Sequence, residues 1–199
     1  MAAVTPQRFE QGITYEQFKS QMTRNRERLE ANERGVRLSP DELAPFQRLR
    51  QPLRVVVLAE DWCGDVIANL PVLGRLAEET GKLDVRVFLR DQNLDVMDEY
   101  LKEGRFRSIP VFAFFDEGFR EIGRFQERPD SVTAELDRRR REIFARNPEF
   151  GDPSQPIDQL PEDVRVRLQQ ATAQMRSEVA PFSNAQVVKE LGDIVAKAS

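Results

Sequence analysis

The sequence contains no histidine and a single cysteine, Cys63, among its 199 residues. The absence of histidine excludes every Ser–His or Cys–His catalytic pair and removes the commonest zinc ligand. A lone cysteine cannot form an intramolecular disulfide, so the hydrophobic core alone must hold the fold. The nucleophiles that remain are this thiol and the hydroxyl and carboxylate side chains.

Long apolar segments are also missing. No stretch approaches the roughly 18 apolar residues of a membrane span, and residues 1–12 lack the apolar region of a signal peptide. The net charge is −4, so no strong positive field favours nucleic acid. We therefore expect a cytoplasmic protein that binds neither a membrane nor a nucleic acid. The sequence leaves a homodimer open.

Strand and helix patterns alternate between residues 53 and 147. Strands are predicted at 53–59, 83–90, 111–115 and 119–125, and helices at 62–80, 93–103 and 129–147. The first two strands are joined by a helix and should be parallel, whereas the last two form a hairpin. The order β-α-β-α-β-β-α predicts an α/β fold, a mixed sheet flanked by helices.

Helical extensions are predicted on both sides of this unit. Residues 1–52 contain two patterns with capping-box starts, one beginning at Thr14 and running to Leu29, the other beginning at Ser39. Residues 148–199 contain a turn-rich connector and two further helices, the second starting after Ser183. The predicted organisation is thus 1–52, 53–147 and 148–199.

The segment best suited to carry chemistry is Glu60–Asp65, which lies at the junction of a buried strand and a helix. A thiol at Cys63 would lie at the positive end of that helix, which favours the thiolate by about 0.3–2 kcal/mol. The like charge of Asp65 opposes it by about 1–4 kcal/mol. We therefore expect a pKa of Cys63 close to that of a free thiol. Trp62 supplies a flat apolar wall, and Gly64 allows close approach of a partner backbone.

Landmarks along the middle of the chain indicate a family. They are Trp62-Cys63-Gly64, Pro71, Asp91-Gln92-Asn93, Arg107-Ser108-Ile109-Pro110 and Gly118. In this order and spacing the sequence resembles thioredoxin, and it is similar to a bacterial thioredoxin-like subgroup with an E-D-W-C-G-D motif. The resemblance implies a thioredoxin-like fold with a cis peptide bond before Pro110. It also implies that the backbone of Ile109 pairs with an extended substrate, so that Trp62, Gly64, Ile109 and Pro110 form the substrate-binding site.

The sequence departs from thioredoxin at its second active-site cysteine. Val66 occupies that position, Asp65 replaces the preceding proline, and Val57 stands where many thioredoxins carry a buried acid. A dithiol cycle cannot run within this chain. The remaining parts suit a monothiol exchange, in which Cys63 attacks a protein disulfide or a mixed disulfide with a small thiol. An external low-molecular-weight thiol would then release Cys63, and no bound cofactor is needed.

Asp65 has two interpretations. As a catalytic residue it would be protonated beside the sulfur and relay a proton. As a structural residue it would be an ionised carboxylate that stabilises the start of the helix. Asp61 and Asp65 are a poor metal pair without histidine or a second cysteine, so no metal is expected.

Two other functions stay open. The chain could be a redox-inactive binding module that uses the same groove or its terminal helices, or an oxidation sensor in which Cys63 forms a sulfenic acid or an intermolecular disulfide. Glu60 and Asp61 are expected to be solvated, with selection of basic partners as the alternative. The run Arg138–Arg141 is expected to be an exposed helical face, with an acidic partner or nucleic acid as the alternative.

Overall fold

A four-stranded mixed sheet lies at the centre of the fold in the computed structural model, which describes residues 4–198. Its strands are β1 (Leu53–Ala59), β2 (Leu83–Leu89), β3 (Val111–Phe115) and β4 (Glu121–Gln126), in the order β2-β1-β3-β4. Strand β1 is parallel to β2 and antiparallel to β3, and β3 and β4 form an antiparallel hairpin. The predicted mixed α/β architecture is confirmed.

Helices precede, connect and follow these strands along the chain. They are α1 (Pro6–Phe9), α2 (Tyr15–Gln21), α3 (Arg26–Gly35), α4 (Pro40–Gln47), α5 (Gly64–Thr80), α6 (Leu94–Met97), α7 (Asp130–Arg146) and α8 (Glu162–Val195). Short 3₁₀ helices occupy Arg90–Gln92, Asp98–Tyr100, Pro148–Phe150, Ile157–Gln159 and Ala196–Ala198. Helix α5 joins β1 to β2, as a parallel connection requires, and it ends at Gly81 in the left-handed conformation with φ of 62°.

The first predicted helix is interrupted. Both capping boxes form, at Thr14 and at Ser39, but α2 ends at Gln21 and α3 begins only at Arg26. Asn25 adopts the left-handed conformation with φ of 57°. The prediction of one helix to Leu29 was wrong because the backbone N–H groups of this break bind a side chain from a distant loop, described below.

The segment after β2 is less helical than its pattern predicted. The helix expected from Asn93 through Glu103 is reduced to α6 and one 3₁₀ turn. Lys102 exchanges backbone hydrogen bonds with Phe106, at 2.8 and 3.0 Å, and this tight turn ends the helix early. Gly104 lies in that turn, with φ of 69°.

The hairpin's return strand starts later than predicted. Strand β4 begins at Glu121, because Phe119 has a φ of 58° that no strand tolerates. The carboxylate of Asp116 holds the turn by accepting the N–H groups of Gly118 and Arg120, both at 2.9 Å.

The C-terminal region forms one helix where two were predicted. Helix α8 runs for 34 residues and passes through Pro181. Ser183 is buried within it and caps nothing. A proline removes one backbone hydrogen bond, but it need not end a helix whose apolar side chains are packed on both sides of it. Here Val164 and Leu168 pack in a small cluster with Phe144 and Phe150, and a later stripe of α8 packs in the main core.

The chain separates into two compact units, residues up to 128 together with those from 187, and residues 129–186. The first unit contains the sheet, α1–α6 and the end of α8, and its buried core includes Phe18 and Phe46 of the N-terminal helices. These units differ from the three predicted ranges because helices from both chain ends contribute to the core of the sheet. Within residues 4–198, no helix is long and apolar enough to cross a membrane.

Candidate functional site

Cys63 lies where strand β1 has ended and helix α5 begins. It is the N-cap residue of α5, and its carbonyl oxygen accepts the N–H of Ile67 at 3.1 Å. Its own N–H donates to the carbonyl oxygen of Glu60 at 3.2 Å, which fixes the turn into the helix. The side chain is half-buried. The first N–H groups of a helix lack partners within it, so the sulfur lies at an electropositive helix end.

The Ile109–Pro110 segment packs against this thiol. The peptide bond between the two residues is cis. The Sγ of Cys63 lies 3.5 Å from the carbonyl oxygen of Ile109 and donates a hydrogen bond to it. Such a bond stabilises the protonated thiol and therefore opposes the effect of the helix end. Both Ile109 and Pro110 are buried, so the segment presents mainly its backbone to the sulfur.

Trp62 forms the exposed side of the site. Its side chain is 42% exposed, among the most exposed large apolar groups of residues 4–198. The guanidinium of Arg90 lies 4.8 Å from the centre of its ring, and Arg90 also binds the carboxylate of Asp91 at 2.7 Å. The Arg90 cation covers one face of the indole, and much of the side chain remains exposed. Gly64, the first residue of α5, is half-buried beside it.

Asp65 is ion-paired with a residue that the sequence analysis did not single out. Its Oδ2 accepts Nη1 of Arg128 at 2.5 Å, and the two side chains are only 16% and 21% exposed. This guanidinium gives the carboxylate a charged partner at the start of the helix. The arrangement therefore favours the structural interpretation of Asp65 over the proton relay. No local signal marks Arg128, because it lies 63 residues from its partner.

The ion pair continues into a short network. Arg128 also binds Oε1 of Glu127 at 2.9 Å, and Lys102 binds Oε2 of Glu127 at 2.7 Å. Partial burial raises the pKa of Glu127, but the hydrogen bond from Lys102 and the charge of Arg128 outweigh it, so that its pKa is lowered. The backbone of Glu127 is fixed by Pro110, whose oxygen accepts its N–H at 2.7 Å, and by buried Asn69, which donates to its carbonyl at 2.8 Å.

Glu60 and Asp61 tether the loop before Cys63 and were wrongly expected to be simply solvated. Oε1 of Glu60 accepts the N–H of Asp91 at 2.8 Å, and burial is the main cause that raises the pKa of Glu60. Oδ2 of Asp61 accepts the N–H groups of Thr23 and Arg24 at 2.7 and 3.0 Å. These contacts connect the loop to the N-terminal helices and to the segment after β2.

Two of the three positions that depart from the thioredoxin pattern are filled by core valines. Val66, one turn after Cys63, and Val57 on β1 are both fully buried. Neither position brings a proton donor or a second thiol to the sulfur. In the described part of the chain, no group of three acidic or thiol side chains could hold a metal ion.

Two arginines of the basic run on α7 form ion pairs within their own unit. Arg138 pairs with Glu135 and Glu142, and Arg139 pairs with Glu135 and Glu178. Arg140 donates to the carbonyl oxygen of Pro153 at 2.9 Å. These contacts are those of a charged helical face.

Comparisons with known proteins place this site in context. A family model described as thioredoxin matches residues 12–140. No curated protein matches the sequence. A 1.5 Å crystal structure of a protein of unknown function from Pseudomonas aeruginosa matches with a TM-score of 0.66 at 18% identity, covering 96% of each chain. An HIV epitope scaffold matches with a TM-score of 0.63 at 16% identity, again covering 96% of each chain. At these identities the two structures establish the fold alone.

Proposed function

The chain belongs to the thioredoxin family, and from this premise we propose that it is a monothiol thiol–disulfide exchange protein that reacts through Cys63. The observation that carries the proposal is the contact of the Cys63 sulfur with the Ile109 carbonyl, 3.5 Å away, at the start of a 17-residue helix. A thiol buried for packing alone would not need a helix end, a backbone segment and an exposed indole around it.

The reaction would proceed in two exchanges. In the first, the Cys63 thiolate attacks one sulfur of a substrate disulfide, forms a mixed disulfide with it and expels the other sulfur as a thiolate. In the second, an external small thiolate attacks that mixed disulfide, bonds to the substrate sulfur and releases the Cys63 thiolate. Each step breaks one S–S bond and forms another, so no further oxidant or reductant is required.

The protein's own residues would orient the first attack. The substrate is a disulfide-bearing protein, or a protein in mixed disulfide with a small thiol. Its chain would lie against Trp62 and the backbone of Ile109 and Pro110, where Gly64 leaves room at the helix start. The Sγ–H bond to Ile109 must break as the thiolate forms, and the N–H groups of α5 would then stabilise the anion. A cytoplasmic location, where small thiols are abundant, suits the second step.

Trapping the mixed disulfide tests this proposal. The protein is incubated, without added thiol, with a cysteinyl peptide disulfide-bonded to glutathione, and adducts are followed by intact mass spectrometry. We expect an adduct in the native protein and none in Cys63→Ser. A free peptide with the sequence of Glu60–Asp65 is the control for ordinary thiol reactivity. The folded protein should react at least about tenfold faster than this peptide, and equal rates would contradict the proposal.

A binding module without turnover is the second candidate. The buried valine at position 66 favours it, because the chain cannot release a captured substrate by itself. Under this alternative, a partner bound at Trp62 would be retained by Cys63→Ser and lost by Trp62→Ala. Formation of a disulfide-linked dimer with peroxide, in place of peptide adducts, would instead favour the oxidation sensor.

A further inference from the structure

The ion pair between Asp65 and Arg128 bears on how Cys63 becomes reactive. Asp65 lies in the first turn of α5, two residues after the N-cap thiol, and is ion-paired there with Arg128. A carboxylate in that position repels a thiolate and cancels part of the favourable effect of the helix end. The charge of Asp65 would therefore hinder ionisation of the Cys63 thiol unless another group offsets it.

Arg128 is held where it offsets that charge. Its Nη1 contacts Asp65 at 2.5 Å, and its side chain is only 21% exposed, so water screens the pair weakly. The preceding residue, Glu127, has a φ of 64°, a left-handed conformation that is unfavourable for a non-glycine residue. Two backbone hydrogen bonds, to Pro110 and from Asn69, hold Glu127 in that conformation. The chain thus leaves β4 in a fixed direction that delivers Arg128 to α5.

Arg128 has its own counter-ion, which limits its effect. Glu127 binds Arg128 at 2.9 Å, and Lys102 in turn binds Glu127 at 2.7 Å. The network of two carboxylates and two cations has no net charge. It therefore removes the repulsion from Asp65 without creating a strongly positive site.

We propose that Arg128 is a positioning residue for the Cys63 thiolate, because its guanidinium neutralises Asp65 and lets the helix end act on the sulfur. This inference rests on the proposed exchange function. Arg128 need not contact the substrate or the sulfur, since it acts through Asp65. Its role is to keep a useful fraction of Cys63 ionised near neutral pH.

Other charged groups lie on the segments that adjoin the start of α5. They are Glu60 and Asp61 before α5, Arg90 and Asp91 after β2, and Glu127 after β4. Glu60, Asp61 and Asp91 each accept a hydrogen bond from another segment or a cation. Because these contacts do not involve Arg128, a substitution at Arg128 should change the charge balance at Asp65 and Glu127.

The test is a pH titration of the Cys63 thiolate. Absorbance at 240 nm and the rate of alkylation by iodoacetamide are measured between pH 5 and 10 for the native protein, Arg128→Gln, Arg128→Lys, Asp65→Asn and the double variant Arg128→Gln/Asp65→Asn. Arg124→Gln is the matched control. Like Arg128→Gln, it removes one positive charge, but from a residue of β4. Arg124 pairs with Glu121 at 3.4 Å. Circular dichroism and thermal melting show whether each variant is folded.

We expect Arg128→Gln to raise the titration midpoint by about 0.5–1 pH unit, a roughly three- to tenfold lower thiolate fraction at neutral pH. Asp65→Asn should lower the midpoint, Arg128→Lys should restore most of the native value, and the double variant should return close to it. A midpoint in Arg128→Gln equal to that of Arg124→Gln would overturn the proposal. If Arg128→Gln fails to fold, an unchanged midpoint in Asp65→Asn overturns it instead.

Failure of this inference can be distinguished from failure of the proposed exchange function. If the native protein does not turn over mixed disulfides but the midpoints shift as expected, the exchange function fails and the electrostatic role of Arg128 stands. If the native protein turns over mixed disulfides and the midpoints do not shift, the role of Arg128 fails alone.

Discussion

The carboxylate of Asp61 accepts the backbone N–H of Thr23 at 2.7 Å, across 38 residues of sequence. The same oxygen accepts the N–H of Arg24 at 3.0 Å, so one side chain closes the break between α2 and α3. The loop before Cys63 is therefore held in part by the N-terminal helices, which makes those helices a structural support of the site.

Removing this carboxylate should weaken that support. We predict that Asp61→Ala lowers the free energy of unfolding by about 1–2 kcal/mol, because two backbone N–H groups lose a charged acceptor. Urea denaturation followed by circular dichroism measures the change. Glu117→Ala, which removes a carboxylate from an exposed turn, is the control and should stay within about 0.5 kcal/mol of the native protein. An equal loss of unfolding free energy in the two variants would show that the hydrogen bonds to Asp61 do not stabilise the fold.

A second stability prediction concerns Gly74 in α5. A Cβ added there would lie 2.4 Å from Cε1 of Tyr15, whereas nothing lies within 4 Å of a Cβ added at Gly35 in α3. We expect Gly74→Ala to cost about 1–3 kcal/mol through overpacking. Gly35→Ala should be neutral or stabilise the protein by up to about 1 kcal/mol, through helix propensity. Thermal melting compares the two, and a native-like melting temperature in Gly74→Ala would contradict the close packing of Tyr15.

The fully buried side chain at position 66 marks where an internal second thiol would lie. We predict that Val66→Cys forms a disulfide with Cys63 on mild oxidation, since the two positions are one turn apart at the start of α5. Val72→Cys is the matched control, because Val72 is equally buried in the same helix but lies further along it. Ellman titration after oxidation should find no reactive thiol in Val66→Cys under denaturing conditions. Two titratable thiols there would contradict the predicted geometry.

The same variant should also change the reaction. Reduced Val66→Cys is expected to release two equivalents of thiol, the peptide and its small-thiol cap, from a mixed-disulfide peptide without an external thiol, because the new thiol displaces the substrate from Cys63 and leaves an internal disulfide. The native protein should release only one equivalent and remain as the adduct. This single-turnover comparison separates a missing resolving thiol from a site that is unreactive for other reasons.

Glu60 and Glu127, two glutamates near the site, should affect the pH dependence of stability in opposite directions. Burial raises the pKa of Glu60, so its favourable contribution to stability is full below the unfolded pKa and is lost as the pH rises through the folded value. Glu127 has a lowered pKa despite its burial, owing to Lys102 and Arg128, so its contribution is present above the unfolded pKa and is lost as the pH falls through the folded value.

Matched amide substitutions measure these contributions. Between pH 3 and 7, the melting temperature of Glu60→Gln should rise relative to the native protein as the pH increases, because the unfavourable charge is gone. That of Glu127→Gln should fall relative to the native protein over the same interval. Parallel pH profiles of the two variants would rule out the opposite environments assigned to these side chains.

The parts of the fold that the sequence predicted are those with strong local patterns. Strand β1 and strand β3 have the predicted bounds, and α5 differs by two residues at its start. These elements are apolar runs or stripes bounded by caps, proline or glycine, so their signals lie within the elements themselves. The division of α2 from α3 has no such signal, because it depends on Asp61 across the fold.

The same distinction applies to the candidate site. Cys63, Trp62, Ile109 and Pro110 were identified from motifs, since family landmarks are local in sequence. Arg128 was missed because its role depends on its ion pair with Asp65, which lies 63 residues away in the sequence. Helix α8 was divided wrongly at Ser183 for a related reason, since a serine is a local N-cap signal that packing along the helix overrides.

Turnover of a mixed disulfide by Cys63 tests the central claim most directly. Initial rates of thiol release from a glutathione-capped cysteinyl peptide are measured with an excess of small thiol, for the native protein and for Cys63→Ser at equal concentration. The account predicts multiple turnovers by the native protein, well above the uncatalysed rate, and only the uncatalysed rate with Cys63→Ser. Equal rates with the two proteins, across several small thiols, would contradict it.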